Sequence, residues 1–172
     1  MRKLPFLIIC CCFHYATFTF AAAAQPIDTS DFTTVILVRH AEKAEDGTRD
    51  PDLDVYGKAR ANRLAQLLHA ANISAIYSTP FKRTRQTANP LAEILQLEVL
   101  DYAPLDLDAF SQLVATKKGQ TIVLIGHSNT VPAMVNHLLG KEAIGQLGET
   151  EYDKIFMVQL MGESRQLTTL SY

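Results

Sequence analysis

Thr33-Thr34-Val35-Ile36-Leu37-Val38 is a β-branched and aliphatic run that stops abruptly at Arg39-His40. Apolar side chains at consecutive positions fit a strand covered on both faces, as in a parallel sheet held between helices. A permanent cation and an imidazole at the carboxyl end of such a strand sit where open α/β sheets place their ligands. Gln120-Thr121-Ile122-Val123-Leu124-Ile125 repeats the pattern and stops at Gly126-His127-Ser128. Parallel strands end on one edge of a sheet, so His40 and His127 are expected to meet.

The segments between and around these two strands read as further strands and helices. A polar loop at 46–52 leads to Asp54, which reads as the N-cap of a helix over 55–70 with Ala59, Leu64, Leu67 and Leu68 as its apolar stripe. A short strand at 73–77 follows. Ser78-Thr79-Pro80 opens a second helix, which Pro90 is expected to kink or restart before 91–95. Residues 97–100 read as a strand, and Asp106 or Asp108 as the cap of a helix that runs through Ala115 and is closed by Gly119. Pro132 starts a helix that ends at Gly140, and 154–160 and 166–170 read as two strands joined around Gly162. This alternation predicts an α/β fold, a three-layer α/β/α sandwich with a mostly parallel central sheet.

The chain has 172 residues, enough for one domain. Its first 24 residues combine Met1-Arg2-Lys3, an uncharged apolar stretch at 4–20 and four alanines before Gln25. That is the composition of a secretory signal peptide cut after Ala24, which makes the product secreted or periplasmic. The apolar stretch is broken by Pro5, His14 and Tyr15 and is short for a membrane span of roughly 20 residues. Cleavage would leave a single domain at 25–172, entered through a linker at 25–32 and without membrane attachment. All three cysteines, Cys10, Cys11 and Cys12, lie in the signal, so the remaining chain has no thiolate nucleophile, disulfide or Cys-ligated zinc. Lipid attachment at Cys10 is disfavoured because Ile9 stands where a small residue is wanted. Loss of Arg2 and Lys3 takes the net charge from −2 to −4 with no basic run, which argues against nucleic acid as a partner.

The chemistry is expected at the shared strand edge. Arg39 flanks His40, and the helix after the second strand, at 73–77, carries Lys82, Arg83 and Arg85 at the same edge. Guanidinium forks match phosphate oxygens, so two imidazoles with at least two guanidiniums and almost no carboxylate beyond Glu42 read as a site for a dianion. Among other histidines, His69 suits a helix C-terminus and His137 lies on a helix without a partner motif. Metal-binding spacing of the His-Glu-x-x-His kind does not occur, and Gly126-His127-Ser128 lacks the Gly-x-Ser-x-Gly elbow of serine hydrolases.

These residues resemble the histidine phosphatase superfamily, which includes the phosphoglycerate mutases. The resemblance rests on Arg39-His40-Ala41 followed by Glu42, on the segment from Tyr77 to Ala88, on Gly126-His127-Ser128-Asn129-Thr130, and on the link from Asp50 to Gly57. It covers the chain from about Val35 to Leu160. It implies a phosphoglycerate mutase-like fold and transfer through a phosphohistidine on His40, with Arg39, Arg83 and His127 gripping the phosphoryl oxygens. Counting within the 77–88 segment assigns the family's second arginine to Arg83 rather than Arg85. Glu42 and Asn129 are expected beside the substrate, with no cofactor and no metal. His40 would have to be neutral, with its other ring nitrogen held by a hydrogen bond that fixes the tautomer. Relatives also supply a carboxylic acid to protonate the leaving oxygen. The corresponding window at 107–110 holds no glutamate, which leaves Asp106 and Asp108 as candidates beside their reading as helix caps.

The expected activity is hydrolysis of phosphate monoesters, on a small phosphorylated substrate. The alternatives are a phosphohistidine protein phosphatase and a non-catalytic phosphate-binding module.

Overall fold

The computed structural model describes residues 32–172. The signal segment with its cysteines, and the linker apart from Phe32, lie outside the described residues. Among them the chain order is β1 (Thr33–Arg39), α1 (Val55–Leu68), β2 (Ile73–Ser78), α2 (Lys82–Leu95), β3 (Val99–Asp101), α3 (Leu107–Ala115), β4 (Thr121–Gly126), α4 (Thr130–Leu139), β5 (Lys154–Met161) and β6 (Ser164–Ser171). The strands form one sheet in the order β3-β2-β4-β1-β5-β6.

β1 shows why the sheet needs cover on both sides. Val35 and Leu37 point into one core with Phe110 and Val114 of α3 and Val131, Met134 and Val135 of α4. Ile36 and Val38 point into the other, with Leu64, Ala65 and Leu68 of α1 and Ala88, Leu91 and Ala92 of α2. Alternate side chains of a strand face opposite ways, so a run of consecutive aliphatics demands two helical layers. The three-layer arrangement is present.

The sheet is mixed, not mostly parallel. β3, β2, β4 and β1 pair in parallel, but β5 runs antiparallel to β1 and to β6. The reason lies after α4. Gly140 ends that helix with φ +66, and residues 141–153 return without forming a helix. Asn136 holds this return by accepting from the amides of Ala143 and Ile144 (2.9 and 3.0 Å) and donating to the Ile144 carbonyl (2.8 Å). By Leu147, whose amide donates to the Ser128 carbonyl at 3.1 Å, the chain has regained the edge where β4 ends. β5 therefore starts at the carboxyl edge of β1 and can only run downward.

The helices differ from expectation in their bounds: α4 begins at Thr130, with Pro132 inside its first turn, and α2 begins at Lys82, after Pro80. α1 stops at Leu68, with His69 as its cap, and α2 continues through Pro90 to Leu95 without restarting. Thr87, Ala88, Leu91 and Ala92 are buried on the inner face of α2, and their packing holds the helix across the hydrogen bond that proline removes.

Candidate active site

The end of β1 delivers Arg39 and His40, and the end of β4 delivers His127. Arg39 faces Gly126 in the β1–β4 register, and the His40 amide donates to the Gly126 carbonyl at 2.9 Å, extending the ladder by one bond. The two imidazole rings come to 5.5 Å between centroids, edge to face. Gly126 has to be glycine here, because a Cβ would stand 2.8 Å from the Tyr102 hydroxyl and 3.0 Å from Thr130 Oγ1.

Each histidine is held in a defined state. His40 is 5 % exposed, and its Nδ1 lies 2.8 Å from the Ala41 carbonyl. A carbonyl only accepts, so Nδ1 carries the proton and the lone pair falls on Nε2. Burial, reinforced by His127, Arg39 and Arg83, pulls the His40 pKa down to about 3. His127 is pulled to about 4, again by burial and then by Arg83 and Arg39. The imidazoles are therefore neutral at pH 7. Thr84 Oγ1 faces the carbonyls of Thr79 and Phe81 and gives its proton there. Thr79 Oγ1 then donates to Thr84 (2.9 Å) and accepts from His127 Nε2 (3.0 Å).

The guanidiniums are equally fixed. Arg39 is 4 % exposed; its Nη1 donates to the carbonyls of Gly148 (2.7 Å) and Glu151 (3.1 Å), and the Tyr152 ring lies 4.0 Å from the guanidinium. Its Nε is buried without a partner among the described residues. Arg83, in the first turn of α2, stacks on Phe81 at 4.4 Å and pairs loosely with Asp50 at 3.5 Å. Thr87 Oγ1 accepts from the Ala41 amide (3.0 Å) while donating to the Arg83 carbonyl (2.7 Å), which ties α2 to the chain just past His40.

These groups open into a cleft of about 340 Å³ whose lining includes Arg39, His40, Arg83, His127 and Asn129. Lys43 and Arg49 add two more cations, and Glu149 is the only carboxylate in the lining. Asn129 starts α4 without using its side chain as a cap, so its amide remains available to the cleft. No group of three or more His, Cys, Asp or Glu among the described residues is arranged to hold a metal ion.

Three expected residues are not brought to this cleft. Glu42 turns away toward α1, where Arg60 donates to both of its carboxylate oxygens at 2.7–2.9 Å and also reaches the Tyr172 carbonyl. Burial opposes its ionisation, but the Arg60 hydrogen bonds outweigh it and hold the carboxyl below its usual range. Asp106 caps α3 by accepting from the Ala109 amide (2.9 Å), and with Asp108 it borders a separate hollow formed by 103–108. Neither aspartate lines the cleft. Arg85 pairs with Asp101, as a solvated helix residue would. Sequence reading missed Glu149 and Tyr152, which reach the site only because β5 reverses direction. The one available signal was the polar stretch at 148–153 just before a strand.

Two neutral imidazoles, two fixed guanidiniums and a cationic rim at the carboxyl edge of a three-layer α/β sandwich define a protein suited to holding a phosphoryl group beside a histidine. Residues 35–105 match the profile of the histidine phosphatase superfamily, branch 1. A phosphoserine phosphatase of Hydrogenobacter thermophilus is 46% identical over 72 residues, 38% of this chain and 34% of the relative. The matched stretch thus spans about a third of that relative's length. Among solved structures, phosphoserine phosphatase from Entamoeba histolytica in complex with 3-phosphoglyceric acid superposes with a TM-score of 0.66 at 20% identity, over 81% of this chain and 97% of the other. The protein histidine phosphatase SixA complexed with tungstate gives 0.66 at 21%, over 80% and 96%. At such identities these two likenesses speak for the fold. Over residues 35–105, under half of its length, the chain is similar to the histidine phosphatase superfamily.

Proposed function

We propose that the protein hydrolyses phosphate monoesters through a phosphohistidine on His40. The observation that carries this reading is the state of His40: neutral, with Nδ1–H held by the Ala41 carbonyl, so that Nε2 is the nucleophilic nitrogen in a cleft lined by four cationic side chains. Arg39 and Arg83 hold the phosphoryl oxygens and stabilise the charge of the transition state, and His127, whose Nε2–H is given to Thr79, joins them through Nδ1 when the bound dianion draws a proton onto it. Nε2 attacks phosphorus, the ester oxygen leaves, and water then displaces the imidazole to release inorganic phosphate. Lys43 and Arg49 extend the positive field outward, which favours small esters carrying a second anionic group. The phosphoserine phosphatase likeness supports such a substrate. With residues 1–24 read as an export signal, the activity lies outside the cytoplasm. Fractionation of the expressing cells checks this, and full-length chain confined to the cytoplasm contradicts it.

The purified protein is to be assayed on a panel of phosphomonoesters beside His40→Ala. Removal of the nucleophile should abolish turnover and the acid-labile phosphoenzyme; turnover that survives the substitution overturns the mechanism. The likeness to SixA gives one specific reason to include a phosphohistidine peptide in the panel. Hydrolysis of that peptide alone would replace the ester by a phosphoramidate as substrate. Vanadate binding without any turnover would leave a phosphate-binding module.

A further inference from the structure

We propose that Glu149 is the proton donor to the leaving oxygen, a role that rests on the phosphomonoesterase reading above. Glu149 is the single carboxylate among the residues lining the cleft. The other acids near it are already engaged. Asp50 accepts from the Lys82 amide (2.9 Å) at the start of α2 and pairs with Arg83 at 3.5 Å. Glu151 accepts from the Gly148 amide at 2.6 Å.

The backbone that presents Glu149 is unusually well fixed for a loop. Residues 148–151 form a turn in which the Glu151 amide donates to the Gly148 carbonyl at 3.1 Å. Arg39 donates to the carbonyls at both ends of that turn, Gly148 and Glu151, and the Glu151 carboxylate closes it from the other side. Glu149 is exposed at the tip and makes no hydrogen bond to another described residue. One buried guanidinium therefore belongs to the phosphoryl pocket and also holds the backbone on either side of Glu149, which lines the same cleft. Such shared anchoring is what a donor needs to stay within reach of the leaving oxygen.

The steps balance. In the first, His40 Nε2 forms a bond to phosphorus, the P–O ester bond breaks, and the Glu149 carboxyl proton passes to the departing oxygen, giving the free alcohol. In the second, the Glu149 carboxylate takes a proton from water as the oxygen bonds to phosphorus and the P–N bond breaks.

The test compares the full-length protein with Glu149→Gln on two substrates: 4-nitrophenyl phosphate, whose leaving group departs without a proton, and the alkyl phosphate that the wild type turns over fastest. For the alkyl ester kcat/KM, which reports the steps through formation of the phosphoenzyme, should fall on the order of 10²-fold or more, while kcat/KM for the aryl ester loses a few-fold at most. Glu149→Asp should recover part of the alkyl activity. An equal loss on both substrates, or no loss on either, overturns the assignment. Vanadate binding by Glu149→Gln confirms an intact pocket. Should the wild type hydrolyse neither ester, the phosphomonoesterase reading itself fails, an outcome distinct from equal loss in an active enzyme.

Discussion

His40 refuses a proton until about pH 3, although an unfolded histidine accepts one near 6.5. Between those values the unfolded chain binds more protons than the folded one, so stability is fully present above 6.5 and declines as pH falls toward 3. His127, held down to about 4, adds a decline of the same sign. Urea unfolding at pH 7.5, 5.5 and 4.5 should therefore show wild type losing more stability on acidification than His40→Asn, which lacks the titrating ring. Equal losses would show that His40 is solvated in the folded state. At the same scale, Arg39, His40 and His127 were legible because strand ends advertise themselves, each following an aliphatic run, whereas Arg83 was singled out from Lys82 and Arg85 by the family resemblance of the 77–88 segment. Glu42 was misread because its partner, Arg60, comes from the middle of α1, and only packing reveals which way a carboxylate just past His40 turns. Asp106 was read for both of its possible roles, and the helix cap is the one its carboxylate fills.

At the scale of elements, α1 is locked to the loop after β1 by a close approach. The Gly57 position leaves no room for a side chain, since a Cβ would stand 2.0 Å from the Glu42 carbonyl oxygen. Asp54 adds a cap by accepting from the Gly57 amide at 2.7 Å. Gly57→Ala should push α1 off that loop, costing about 1–3 kcal/mol in urea unfolding and lowering kcat by displacing the Ala41 carbonyl from His40. A stable and fully active variant would mean that the helix start is not coupled to the site. Element by element, the strands buried on both faces were readable from β-branched runs and the helices from their caps, whereas the apolar stripe expected for α1 was half right: Leu64 and Leu68 are buried, Ala59 and Leu67 exposed. The direction of β5 was not, because a strand's residues encode which faces are covered and not which way it runs. β6 held a partial clue: its eight residues are polar or exposed save Leu167, as suits an antiparallel strand open to water rather than one between helices. Pro90 was a false stop for a similar reason, since the packing that bridges it lies on other elements.

For the molecule as a whole, the net charge is −2 while the cleft lining carries four cations against one carboxylate. Field and net charge thus have opposite signs, and small anions should be drawn to one place. Inorganic phosphate should raise the thermal midpoint, by about 2.7 kcal/mol of added stability at one hundred times its dissociation constant. The shift should shrink in high sodium chloride, which screens exposed charges, and Arg83→Ala should reduce it further. A salt-insensitive shift that Arg83→Ala leaves unchanged would place the bound anion elsewhere. The reversed β5 has a wider consequence for how such a protein can diversify. Residues 141–153 are moored by Asn136 at one end and Arg39 at the other, and they carry no strand of the central sheet. Lineages could lengthen, shorten or exchange this wall as a cassette, altering what enters the cleft while the histidines stay on their strands. The wall, with Glu149 on it, would thereby be inherited on a piece of chain separate from the two histidines.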